Sequence, residues 1–130
     1  MRVVLDASAG VDSVLAGYRG TRVLDAMCGK ESWAPSLVDS EVLSALARLE
    51  RAGVLTGAEA THALGAWSRV PCQRVPSEFL LQDAWSRRAA LRVSDAQYVA
   101  LADRLGTPLL TCDARLARAP VGNVQVQLIE

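Results

Sequence analysis

The sequence predicts an α/β fold, a parallel central sheet flanked by helices on both faces, in one domain spanning residues 1–130. Three observations point there. Short apolar runs alternate along the chain with longer segments of helical periodicity, the pattern of successive strand–helix–strand units. Hydrophobic residues make up 51% of the chain, yet its aromatics are only three Trp, two Tyr and one Phe, so Ala, Val and Leu must build the core. Gly and Pro are spread singly and punctuate individual elements, with no linker or internal repeat among them.

Val3-Val4-Leu5 is a short apolar run ending on an acid, a buried strand with Asp6 at its carboxyl end. Ala7 to Ala16 has helical character and stops at Gly17; Arg22 to Cys28 is a second short helix closed by Gly29. Ser32-Trp33-Ala34 before Pro35 is the next strand. From Ser36, which can cap the segment with Asp39 three residues on, Val38, Val42, Ala45, Leu46 and Leu49 recur at helical spacing until Gly53. A helix over Thr56–Val70 follows, then a strand over Cys72–Val75 and a helix over Ser77–Leu91. Ser94-Asp95-Ala96-Gln97 has the form of a capping box opening a helix to Leu105, with Gly106 as its stop. Pro108 to Thr111 is a strand, a short helical turn runs from Asp113 to Ala117, and Val124 to Leu128 is the last strand.

Formal charge is zero, with 14 basic and 14 acidic residues, so a whole-molecule attraction to nucleic acid is excluded and any such contact needs a local basic patch. Thirteen of the basic residues are Arg and the other is Lys30. Cys28, Cys72 and Cys112 are odd in number and scattered, which indicates neither a disulfide framework nor a zinc site. With no signal-peptide core and no apolar stretch long enough to span a bilayer, a cytoplasmic protein is expected. His62 is the single histidine and sits mid-helix. That excludes a nuclease with a histidine acid–base pair, and no nucleophile elbow, P-loop or dinucleotide glycine fingerprint is present.

The acids carry the chemistry. In open α/β sheets ligands bind beyond the carboxyl ends of the strands, and Asp6 and Asp113 fall there. Either one alone is also what a helix N-cap after a strand looks like; two on one sheet favour a site. Glu41 lies inside the apolar arc of its helix, between Leu37 and Ala45 at about 100° per residue. A carboxylate on a buried face needs a cation or a donor, and a boundary salt bridge to Arg48 is the alternative. Asp39 faces the polar edge and complements the helix dipole. Asp95 stands in the first turn of its helix, where an acid is favourable for local reasons alone; because that helix is apolar nearly all round, an internal cleft is the expected surrounding. Asp103, about 12 Å along the axis, is an exposed charge. Four carboxylates gathered at a sheet end repel one another unless a cation sits among them. Oxygen-only ligands select a hard ion, Mg2+ or Mn2+, suited to hydrolysis of a phosphodiester by an activated water. Ser8 and Thr111 are candidates for supporting hydroxyl contacts.

The blocks VVLDASA at Val3–Ala9, APSLVDSEVLSAL at Ala34–Leu46 and SDAQYVALADRLGTPLLTCDARLA at Ser94–Ala117 resemble the PIN-domain ribonucleases, and in order and spacing are most similar to VapC toxins. The likeness covers essentially the whole chain, and its last block is the most specific. The resemblance implies a PIN-like fold and one acid per conserved position, a metal site on Asp6, Glu41, Asp95 and Asp113, with Thr111 at the hydroxyl position before the last acid. It departs at Ser44, where such toxins often carry Asn three residues after the helix acid. It also implies Mg2+- or Mn2+-dependent endoribonuclease activity leaving 3′-hydroxyl and 5′-phosphate ends, on tRNA or ribosomal RNA, a homodimer, and a VapB-type antitoxin whose C-terminal segment occupies the groove. Arg115 and Arg118 beyond Asp113, and Arg87, Arg88 and Arg92 before Asp95, are the candidate RNA contacts; each is equally well read as part of a solvated helix face. Two rivals stand beside this reading. One is a PIN-like module that binds RNA or protein without cutting. The other is an aspartyl-phosphate enzyme or receiver domain, disfavoured because Lys30 lies early in the chain.

Overall fold

The computed structural model describes residues 1–130. Its elements run β1 (Arg2–Leu5), α1 (Ala7–Ser13), α2 (Tyr18–Met27), β2 (Glu31–Pro35), α3 (Val38–Arg51), α4 (Gly57–Trp67), β3 (Gln73–Val75), α5 (Leu81–Ser86), α6 (Val93–Leu105), β4 (Leu109–Thr111), α7 (Ala114–Ala117) and β5 (Val126–Leu128), with a 3₁₀ turn at Ser77–Phe79 before α5. The five strands form one sheet in the order β3-β2-β1-β4-β5. Every neighbouring pair is parallel, as expected for strands joined by helical crossovers. From β1 the chain builds outward through β2 to β3, then returns to the other side for β4 and β5. The order therefore reverses between β1 and β4, and a crevice opens at the carboxyl ends of those two strands.

Strand alternation shows why both faces need helices. Val4 and Leu109 project into one core with Tyr98, Val99 and Leu101 of α6 and Val38, Val42 and Leu46 of α3. Val3, Leu5 and Leu110 project into a second core with Val23 of α2 and Ile129. Successive residues of a strand face opposite ways, so one polar residue in the middle of β1 or β4 would breach a core. α6 is the most enclosed helix, with Ala96 and Tyr98 to Ala102 all buried, and Gly106 ends it in the left-handed conformation at φ 60°.

Several expected boundaries shift. Helix α1 ends at Ser13 rather than Ala16, where the Ser13 hydroxyl turns back to the Gly10 carbonyl at 2.7 Å. Helix α2 begins at Tyr18, four residues before the expected start, because Gly17 reaches φ 132° and enters the helix directly. Ser36 does not cap α3: its N–H extends the sheet to the Val75 carbonyl at 2.8 Å, and Leu37 is the cap residue, with no side-chain bond. The capping box expected at Ser94 is also absent. Helix α6 starts one residue earlier at Val93 after Arg92, and Gln97 accepts from the Ser77 hydroxyl instead. The genuine capping box is Thr56 with Glu59, opening α4. The helix expected over Ser77–Leu91 is broken into the 3₁₀ turn and α5. Leu80, Ala84 and Leu91 are buried at helical spacing while Phe79, Leu81 and Trp85 point to solvent, but the backbone departs from ideal helical dihedrals at Leu80, φ −114° and ψ −3°, which separates the 3₁₀ turn from α5.

Trp67 fastens α4 to the rest. It is buried at 2% exposure, and its indole N–H donates to Asp39 of α3 at 2.8 Å. Its ring lies so close to Gly10 of α1 that a Cβ there would approach within 3.0 Å. Trp67→Ala opens a void at this three-helix junction and is expected to lower stability by about 3–5 kcal/mol; a urea unfolding curve checks it, and a shift of less than about 1 kcal/mol would show that the junction is dispensable.

Candidate active site

The acids predicted from sequence come together. Asp6, Glu41, Asp95 and Asp113 all line one cleft of about 410 Å³ at the switch point, with Ser8, Ser44, Arg48, Arg92 and Tyr98 among the other lining residues. Asp6 follows β1, Glu41 stands in the first turns of α3, Asp95 is the third residue of α6 and Asp113 follows β4. Four separate elements thus deliver one carboxylate each.

Asp6 is buried at 6% exposure and caps α1, accepting from the Ala9 amide at 2.9 Å. Ser8 donates to the same oxygen at 2.7 Å and Thr111 to the other at 2.5 Å. Those two hydroxyls also accept backbone amides: Cys112 N–H donates to Ser8 and Asp113 N–H to Thr111, both at 2.9 Å. The network therefore ties the end of β1 to the turn after β4. Expected as contacts to a metal-bound water or substrate, the Ser8 and Thr111 hydroxyls are spent on holding Asp6 and that turn. Burial pushes the Asp6 carboxyl up to about 6, against the lowering effect of its three donors and with a further rise from Asp113.

Glu41 does not pair with Arg48. Its Oε1 accepts from the Tyr98 hydroxyl at 2.6 Å, and Tyr98 is buried at 1% exposure. Burial and the neighbouring carboxylates push the phenol far above its usual range, so it remains a donor at any working pH. Tyr98 is a residue of the cleft whose bond to Glu41 the sequence reading missed. In an otherwise apolar helix it passes for core, and its position one turn after Asp95 was the available signal.

Asp95 and Asp113 meet cations. Arg92 Nε donates to Asp95 Oδ2 at 3.1 Å, and Arg115 Nη2 donates at 2.9 Å to both Asp95 Oδ2 and Asp113 Oδ2. Asp113 also caps α7 through the Arg115 amide. Of the other arginines, Arg87 pairs with Asp83 and Asp103 away from the cleft, and Arg88 lies over the Trp85 ring. Arg118 is exposed on α7 and does not line the cleft. Arg48, by contrast, does line it. Asp39, expected as a first-turn acid, also holds Arg74 through two bonds at 3.0 and 2.9 Å.

The donor set is carboxylate and hydroxyl oxygen, with no His or Cys, which suits a hard divalent cation. As the side chains stand, no three acidic, His or Cys groups converge on one ion position: Asp6 and Glu41 are held by hydroxyl donors, and Asp95 and Asp113 share Arg115. The chemistry of the donors fits a cation.

The PIN domain family model matches residues 3–122. The chain belongs to the PIN-domain family. This PIN domain is 47% identical over 119 residues to Ribonuclease VapC3 of Mycobacterium tuberculosis, covering 91% of the chain and 87% of that protein. It is 34% identical over 127 residues to Ribonuclease VapC12 of the same species, covering 98% of both. Among solved structures, VapBC2 from Rickettsia felis bound to a DNA fragment superposes with a TM-score of 0.66 at 11% identity over the full length of both chains. VapC20 of Mycobacterium tuberculosis, a sarcin–ricin loop cleaving toxin, gives 0.64 at 17% identity, covering 88% of this chain and 92% of that one. Both place the PIN domain in the fold of VapC structures.

Asp6 supports a prediction with a definite sign. Its carboxyl stands at about 6 against an ordinary 3.8, so the folded protein binds that proton more tightly than the unfolded chain. The associated stability is fully present below pH 3.8 and is lost as pH rises through 6. At pH 7.5 in chelator, Asp6→Asn is therefore expected to be more stable than the native protein by about 1–3 kcal/mol, the Thr111 hydroxyl reversing to accept the amide. The gain should shrink toward pH 4. Equal urea midpoints at pH 7.5 would show that the hydroxyl network fully offsets the burial.

Proposed function

We propose that this PIN domain is an endoribonuclease, the toxin of a toxin–antitoxin pair, that hydrolyses RNA with Mg2+ or Mn2+. The observation that carries the reading is the delivery of four carboxylates by four elements into one cleft at the sheet's switch point. Membership among chains named VapC ribonucleases supports the substrate class and the toxin role. The likeness to a VapBC2 structure supports a VapB-type antitoxin as partner, and the proposal extends to a homodimer.

Asp6, Glu41, Asp95 and Asp113 would hold the ion. When bound, it supplies an activated water and charge stabilisation on the phosphodiester. The chain's own residues do the rest. Ser8 and Thr111 fix the Asp6 carboxylate in one orientation. Tyr98 fixes Glu41, so neither acid reorganises when substrate arrives. Arg48 and Arg92 line the same cleft as the acids, placed to draw a phosphate against them.

One observation favours the rival, a PIN-like module that binds RNA or protein without cutting: Arg115 already bridges two of the acids. Cleavage separates the two. With Mn2+, antitoxin-free protein should cut total bacterial RNA at discrete positions leaving 5′-phosphate ends. Chelator or Asp95→Asn should reduce cutting at least about a hundredfold, since a lost metal ligand removes several kcal/mol of transition-state stabilisation. Folded protein that cuts no RNA would favour the binding module.

A second expectation concerns Arg48. Arg48→Ala should weaken RNA binding and reduce the slope of log affinity against log salt by roughly 0.7, one single-strand phosphate contact fewer. An unchanged slope in a filter-binding titration would remove Arg48 from the substrate path.

A further inference from the structure

Arg115 occupies a position that neither capping nor surface solvation explains. A single nitrogen, Nη2, lies 2.9 Å from Asp95 Oδ2 and 2.9 Å from Asp113 Oδ2. It thus marks the point shared by the two carboxylates delivered from α6 and from the end of β4. The partners differ in exposure: the Asp95 side chain is only 12% exposed, the Asp113 side chain 34%, and the Arg115 side chain 46%. The acids are fixed by the fold, whereas the guanidinium sits on a long stem at the rim, open to water. Arg92 does not duplicate the role, since it reaches Asp95 alone.

We infer that Arg115 is an internal counter-ion that competes with the divalent cation for Asp95 and Asp113, so that the ion enters by displacing it. The inference rests on the metal reading above and adds a residue to it. Removing the guanidinium leaves the two carboxylates facing each other with only Arg92 beside Asp95, which costs stability without a metal and raises affinity for one. Lysine in its place keeps the charge but not the planar fork.

The test is Mn2+ binding to the antitoxin-free protein by calorimetry, together with thermal unfolding in chelator and in Mn2+. Arg115→Gln is expected to bind Mn2+ tighter by roughly three- to thirty-fold, the range set by losing two partly exposed ion-pair contacts. Its Tm in chelator should fall below that of the native protein, and its gain in Tm on adding Mn2+ should be the larger. Arg115→Lys should lie between the two, and Arg118→Ala, on the same helix but outside the cleft, should match the native protein. Equal or weaker Mn2+ binding by Arg115→Gln, with native binding intact, overturns the competition alone. Absence of Mn2+ binding in the native protein and in every variant overturns it together with the metal reading.

Discussion

A buried carboxylate between two strands organises this molecule. Asp6 leaves water at the end of β1, a transfer that is expensive unless its lone pairs are satisfied, and its donors come from both sides of the sheet's reversal. Ala9 supplies an amide by starting α1, Ser8 a hydroxyl from the same turn, and Thr111 a hydroxyl from the end of β4. Each hydroxyl in turn accepts an amide from the segment after β4. Pairing of β1 with β4 therefore completes the solvation of Asp6, and that solvation fixes the turn from which Asp113 projects. Neither half is satisfied without the other.

The cleft divides into two electrostatic halves. On one side Asp6 and Glu41 are held by hydroxyl groups, neutral donors that orient a carboxylate while leaving its charge in place. On the other, Asp95 and Asp113 are held by guanidiniums, which cancel charge locally. Neutral donors remain as a cation arrives, whereas cationic donors are repelled by it. On the proposed reading, rearrangement on loading falls on the exposed Arg92 and Arg115 and spares the buried hydroxyls of Tyr98 and Thr111.

The strand-end acids were legible in the sequence because apolar run followed by Asp states both the strand and where it stops. Glu41 was legible because a carboxylate on an apolar arc needs a partner. That partner was not: Tyr98 lies 57 positions away, and its hydroxyl reads as one more core aromatic until α3 and α6 are brought face to face. The alternative, a boundary salt bridge to Arg48, was the local one, and tertiary geometry sets it aside. Helix starts failed for a related reason. Ser36 and Ser94 have capping chemistry, but the N–H of Ser36 is claimed by the sheet and Ser94 falls inside α6, so local propensity yielded to the ladder and to packing. Over residues 77–91 the apolar residues point both ways, and composition alone could not show that two short turns serve better than one helix.

Zero net charge sits oddly with a chain proposed to handle a polyanion, and the disposition of ion pairs resolves it. Away from the cleft, Asp39 holds Arg74, Asp12 holds Arg19, and Asp83 and Asp103 share Arg87, so these acids are largely offset by basic partners. At the cleft, four carboxylates face Arg48, Arg92 and Arg115, an excess of one negative charge. A divalent cation that displaces Arg115 would cancel the remaining excess of the acids over Arg48 and Arg92 and leave the displaced guanidinium free at the rim. On the proposed reading, a phosphodiester is then attracted only to the loaded site, and RNA capture depends on the cation before any bond is broken. A permanently basic surface would bind RNA regardless; a nearly balanced one makes binding conditional on the ion that also does the chemistry.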